Sequence, residues 1–376
     1  MAEFDPSLVN GVSDDHDRIA AIIAQFVDAD TTEPQLPENR DAWRSDCQLR
    51  LLEKPVGYDA RHWDRYADVC RRAVALTQNP SSRALLILGH LNGERRVLPE
   101  PNWKLVAQLA QQARELIDSL ETGARKERLD TLLESHLGIV YRQQGDYENA
   151  ILQQVAVAQK AEKAGDYVGY AIARFCEMVE RFNSALSNGF DTTTLLNPLH
   201  EAAFRVAATC IGSDNIQIAW RLYSAPVHVL QAHIWDVRRV SPQDEKFWLY
   251  LLTEQLPIAD KIRFDFHEPT IVAIKAGLAF LKNSRVEALG LANKVETTMR
   301  NRAKPDARMT ARFIMAMLAA DEHLAVIMEE GDYMHQLRRM AQRILSGEVR
   351  QWCSAHTAQH TQESAVRAIE QIAQSR

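Results

Sequence analysis

Three side chains near the C-terminus, Cys353, His356 and His360, follow the spacing C-x-x-H-x-x-x-H, which puts a thiol and two imidazoles on one face of a helix. Type and spacing permit a zinc site without requiring one. Structural zinc usually takes four protein ligands, and no nearby CxxC or HExxH supplies the fourth. The expectation is therefore a polar capping helix over 348–373, with no bound metal and no cofactor; a metal-binding or enzymatic protein built around Cys353, His356 and His360 is the alternative. His228 and His233 lie five residues apart and do not share a helical face cleanly, and Pro226 leaves their register open. They read as buried or half-buried side chains lining a helical groove. The chain holds no GxSxG elbow, no cysteine-protease signature, no GxxxxGK[ST] loop and no GxGxxG turn after a strand, so no catalytic residues are expected.

Charge is more informative. Lys294, Arg300, Arg302, Lys304, Arg308 and Arg312, followed by Arg338, Arg339 and Arg343, give the region 294–343 a positive bias. The plain reading is a solvated, salt-bridged surface; the sharper one is a docking patch for an acidic partner, which the chain itself could supply. Met1–Asp46 carries 11 acidic and 3 basic side chains, more than the whole net charge of -6. Nucleic acid is not an expected partner, because a binder would show a basic excess or interleaved aromatics. No run approaches about 18 apolar residues, the length needed for a membrane span. The start MAEFDPSLVNGVSDD lacks the basic and apolar segments of a secretory signal. The five cysteines are dispersed among apolar helical residues, as reduced core thiols are. A cytoplasmic location is expected.

Helices must position all of these groups. Only 15 glycines and almost no alternating Val/Ile/Thr runs occur in 376 residues, which predicts an all-α chain. A helix is expected from Asp14 to Asp28 with Ser13 as cap, then a linker at 31–37 and a second helix through Leu52; residues 1–58 form an acidic N-terminal segment. From 59 to 376, helices alternate with short breakers: 61–77, 81–91 capped by Ser81 or Ser82 and ended by Asn92-Gly93, and 102–121. Later segments are 170–186 and 195–210, then two apolar runs in which Pro226 and Pro257 are each expected to kink or interrupt the helix. Pro269 is expected near the first position of its helix, where a missing N–H costs least. Pro305 opens a helix to about Glu330, and a turn at Gly331-Asp332-Tyr333 leads to a partner helix bearing Leu337, Met340 and Ile344. Breaker spacing predicts about 14 to 16 helices in all.

The clearest stretch is Leu132–Gly165. Leu133, Leu137, Val140 and Tyr141 recur at helical spacing, Gly138 leaves room for a second helix, Gly145 ends the first, and Asp146 caps a second bearing Ala150, Ile151, Val155 and Ala158. Leu137-Gly138, Tyr141, Gly145-Asp146-Tyr147 and Ala150-Ile151 resemble the tetratricopeptide repeat signature over about 34 residues, with Glu134 at the usual tryptophan and Gln154 at the usual aromatic. Phe182 stands near the position of Gly138 in a degenerate next copy, where close packing has to relax. The resemblance implies a right-handed superhelical solenoid of antiparallel helix pairs whose inner face binds a segment of another protein. That face is Leu132, Ser135, Ile139, Arg142 and Gln143 in the clear copy, and Val179 and Asn183 in the next. The expected function is thus a non-catalytic scaffold or adaptor, with a peptide- or ligand-sensing regulator as a further alternative.

Overall fold

A computed structural model describes residues 16–29, 62–97, 101–210, 216–253, 261–301, 303, 305–327 and 330–345. Among these the chain is all-helical, with fourteen helices. They are α1 (His16–Ala29), α2 (His62–Leu76), α3 (Pro80–Glu94), α4 (Trp103–Ser119), α5 (Ala124–Gln144), α6 (Tyr147–Lys163), α7 (Tyr167–Ser187), α8 (Thr193–Cys210), α9 (Ile216–Trp235), α10 (Pro242–Thr253), α11 (Lys261–Leu281), α12 (Arg285–Glu296), α13 (Pro305–Ile327) and α14 (Glu330–Leu345). The chain divides into two compact units, 1–177 and 178–376. No helix among the described residues is long and apolar enough to cross a membrane. The linker at 31–37, the second N-terminal helix, Pro257, the last helix at 348–373 and with it Cys353, His356 and His360 lie outside the described residues.

In the first unit each helix packs on the next from α2 to α6, except that α4 and α5 touch less extensively, and α3 also packs on α5. Helix α3 is buried almost all round, Ser81, Ser82, His90 and Asn92 included. A helix enclosed on every side needs no polar face, whereas one that covers its neighbours buries only a stripe. Helix α4 fits the second case, burying only Val106, Leu109, Ala113 and Ile117. The core joins Ile19 and Ile23 of α1, Tyr66 and Cys70 of α2, Leu86 and Leu88 of α3, and Leu129 and Leu133 of α5. The same division holds in the second unit. Helix α11 is buried from Pro269 to Leu281 except Lys275, and α12 between α11 and α13 buries only Ala288, Ala292 and Val295. There α9 packs on α8, α10 and α11, and α11 on α13.

The hairpin of α5 and α6 forms where its residues predict it. Gly145 takes φ 81° and closes α5, its N–H returning to the Arg142 carbonyl and that of Asp146 to the Tyr141 carbonyl at 3.0 and 2.9 Å. Asp146 caps α6 by accepting from the Asn149 N–H at 3.2 Å. A Cβ on Gly138 would lie 2.6 Å from Nε2 of the buried Gln154, so α6 crosses α5 at that glycine. Glu134 reaches Lys160 at 2.8 Å, and Asp130 bridges Lys160 to Arg114 of α4. Ion pairs thus tie the hairpin on this side.

Four local expectations are corrected. Asn79 caps α3, accepting from the Ser81 N–H at 2.9 Å, with Pro80 in the first turn; the asparagine reaches the orphan donor and leaves Ser81 and Ser82 inside the helix. Asn92 and Gly93 do not end α3, which runs on to Glu94. A Cβ on Gly93 would lie 2.9 Å from the Ala67 Cβ and 3.0 Å from its backbone, so this glycine serves the approach of α2 to α3. Pro269 lies inside α11, which begins eight residues earlier. Gly331-Asp332-Tyr333 falls in the first turn of α14; the helix starts at Glu330, and Leu337, Met340 and Ile344 are buried as expected.

Candidate functional site

Five helix ends share one backbone device. At Gly145, Gly165, Gly189, Val237 and Asn283 the chain turns left-handed after α5, α6, α7, α9 and α11. In each case two N–H groups return to carbonyls of the last turn, which satisfies acceptors the helix leaves open. These turns set the helix pairs from which a cleft in the second unit is built. From the C-terminal half of α7 come Val179, Phe182 and Asn183; Leu199 comes from α8, and His228, Gln231, Ala232 and Trp235 from α9.

The lining is mixed. Val179 and Phe182 are buried, and Asn183, only 5% exposed, has no hydrogen bond to the rest of the described protein. Gln231 is held from behind, its Nε2 donating to Thr310 Oγ1 of α13 at 3.3 Å. The free volume at the centre is about 10 Å³, close to what one water needs. Small-molecule sites occupy about 300 to 1,000 Å³, so this is a notch for a side chain or a water and not a metabolite pocket.

Val179 and Asn183, expected on the inner face from sequence, thus line the cleft together with His228. The other expected contacts belong to the first unit. Leu132 is buried in its core, Ser135 and Ile139 are half-buried, and Arg142 is half-buried and already engaged within the chain. Gln143 is exposed and donates from Nε2 to the Arg95 carbonyl at 3.3 Å. Gln231 and Trp235 were not singled out from the sequence. Their signal is the spacing of His228, Gln231 and Trp235 at i, i+3 and i+7, which shares one face of α9.

His233 leaves that face and meets His200 of α8, with Nε2 atoms 2.7 Å apart. Burial, and then the neighbouring imidazole, push His233 down to about 4; burial also lowers His200, with Asp244 opposing. Phe204, Phe247 and Trp248 pack beside the pair, Phe204 stacking on Phe247 at 5.1 Å.

The basic region 294–343 is partly spent on the protein itself. Glu296 of α12 takes both Arg308 at 3.3 Å and Arg312 at 3.0 Å, and Lys294 lies 3.8 Å from Glu268. Arg312 is 1% exposed, so it is a core ion-pair partner and not part of a surface patch. Arg300 and Arg339 are exposed. No group of three or more His, Cys, Asp or Glu among the described residues is placed to hold a metal. No family model, curated protein or solved structure matches the chain, so the site is argued from its own geometry.

Proposed function

We propose that the chain is a non-catalytic interaction scaffold, a solenoid of tetratricopeptide-like helix pairs that binds an extended or helical segment of a partner protein along the cleft of α7, α8 and α9. One observation carries the reading. Asn183, 5% exposed, stands at the cleft wall with no hydrogen bond among the described residues, beside apolar Val179 and Phe182 and opposite His228 and Gln231. An amide set on a largely apolar wall offers a bound segment's main chain a donor and an acceptor, as peptide grooves do. The small free volume favours a polypeptide laid over the notch above a metabolite enclosed in it.

Affinity purification of wild type beside Asn183→Ala, with co-purifying proteins compared by mass spectrometry, tests this. The partner should be depleted with Asn183→Ala, and its affinity for the purified variant should fall by about 1 to 3 kcal/mol while the fold is kept. A partner that binds both proteins equally would place the interaction elsewhere and end this reading.

A further inference from the structure

The imidazoles of His200 and His233 come from different helices and cross at 83°, with Nε2 facing Nε2 at 2.7 Å; both are half-buried. Their surroundings fix the protons. Nδ1 of His233 lies 3.3 Å from the Arg238 carbonyl, which can only accept. Nδ1 therefore holds the proton, and the His233 Nε2 presents a lone pair toward His200.

That carbonyl is held in place at some cost. Helix α9 closes through the Arg238 N–H to the His233 carbonyl at 2.9 Å and the Val237 N–H to the Ile234 carbonyl at 3.2 Å. Val237 sits at φ 51°, where the four other turns of this kind use glycine or asparagine. A β-branched residue in the left-handed region is an outlier that its surroundings must enforce. Here Val237 is buried, the Arg238 guanidinium is bound to Thr193 and Asp236, and Asp236 also accepts from Thr192 at 2.5 Å. The result is a strained turn that fixes a backbone acceptor behind one imidazole, the device that orients histidines toward metal ions. Beside the pair, the ring of Trp248 lies 6.0 Å from His200, and its fully buried indole N–H has no hydrogen-bond partner among the described residues.

We propose that His200 and His233 form a two-imidazole site for one divalent transition-metal ion of the zinc, nickel and copper class, bound through both Nε2 atoms. Nitrogens at about 2.0 to 2.1 Å from such an ion stand about 2.9 to 3.4 Å apart, so the rings part by less than about 1 Å. His233 already has its lone pair inward. His200 moves its single proton from Nε2 to Nδ1, so both ligands bind neutral and no proton is lost. Burial keeps both rings unprotonated at neutral pH, which is the form that binds metal. The described residues add no third His, Cys, Asp or Glu, so water or a group from a partner completes the coordination.

The test uses the full chain, freed of metal by a chelator and titrated with zinc. Wild type should bind one equivalent that His200→Ala and His233→Ala each weaken at least tenfold, while His228→Ala and the triple variant C353S/H356Q/H360Q retain it. In unsubstituted ¹⁵N-labelled protein, zinc should shift two imidazole Nε2 resonances together, a readout that needs no variant to fold. Zinc stoichiometry and affinity unchanged in both alanine variants, or no paired shift in the wild type, would overturn the proposal.

Discussion

Acidification is the most direct probe of the second unit. An unfolded imidazole takes up its proton near 6.5 and the folded His233 only near 4. Between these values the unfolded chain binds more protons, so stability falls as pH falls; above about 6.5 the contribution is constant, and below about 4 the loss is complete. The slope is about 1.4 kcal/mol per pH unit, which gives about 2 kcal/mol at pH 5 and at most about 3 kcal/mol in total. His200 is shifted the same way, and the pair titrates as a unit. The hydrogen bond to the Arg238 carbonyl and the Asp244 charge oppose the shift of His233, and the Arg238 guanidinium charge adds to it. Two units make global unfolding a poor measure, whereas native-state hydrogen exchange of the α9 amides reads the element that holds His233. After correction for intrinsic rates, protection should fall about fifteenfold from pH 6.5 to pH 5. His233→Asn keeps a donor for the Arg238 carbonyl but cannot titrate, and should lose most of that fall. An equal fall in the variant would refute the burial argument for this pair.

Two stability predictions accompany it. A Cβ on Gly277 of α11 would lie 2.4, 2.6 and 2.8 Å from three side-chain carbons of the fully buried Ile234. Helix propensity favours alanine by about 1 kcal/mol, and overpacking costs about 1 to 3 kcal/mol, so Gly277→Ala should give a net loss in denaturant unfolding; a gain would mean that α9 and α11 can part freely. Glu296→Ala removes the carboxylate that Arg308 and the buried Arg312 share, and should cost about 3 to 5 kcal/mol by the same measurement. A loss below about 1 kcal/mol would show that water reaches both guanidiniums.

The legible parts of this fold are those whose cause is local. Gly145 and Asp146 stop one helix and start the next within two residues, so the hairpin of α5 and α6 can be read from sequence. Asn79 escaped notice because two serines stood where a cap was sought, one and two residues beyond the asparagine and proline that open the helix. Pro269 and the Gly331-Asp332-Tyr333 segment were placed by local preference, which the longer helices around them override. For the candidate site, Val179 and Asn183 came from the inner face that the repeat resemblance implies, and His228 from its reading as a groove-lining side chain. The pairing of His233 with His200 was not found, because the two stand 33 positions apart and neither carries a local signal. The left-handed turn at Val237 had no glycine or asparagine to announce it.

The packing order within each unit bears on how the chain is made. A helix packs chiefly on the next one and the next but one along the sequence; α14, which also returns to α9, is an exception among the described residues. Such contacts close only short loops, so each helix can dock as soon as its successor is available, and folding can keep pace with synthesis from the ribosome. In the second unit the contact of α14 with α9 waits until residue 330 has emerged. A nascent chain stalled before that point would leave uncovered the part of the α9 surface that α14 packs on.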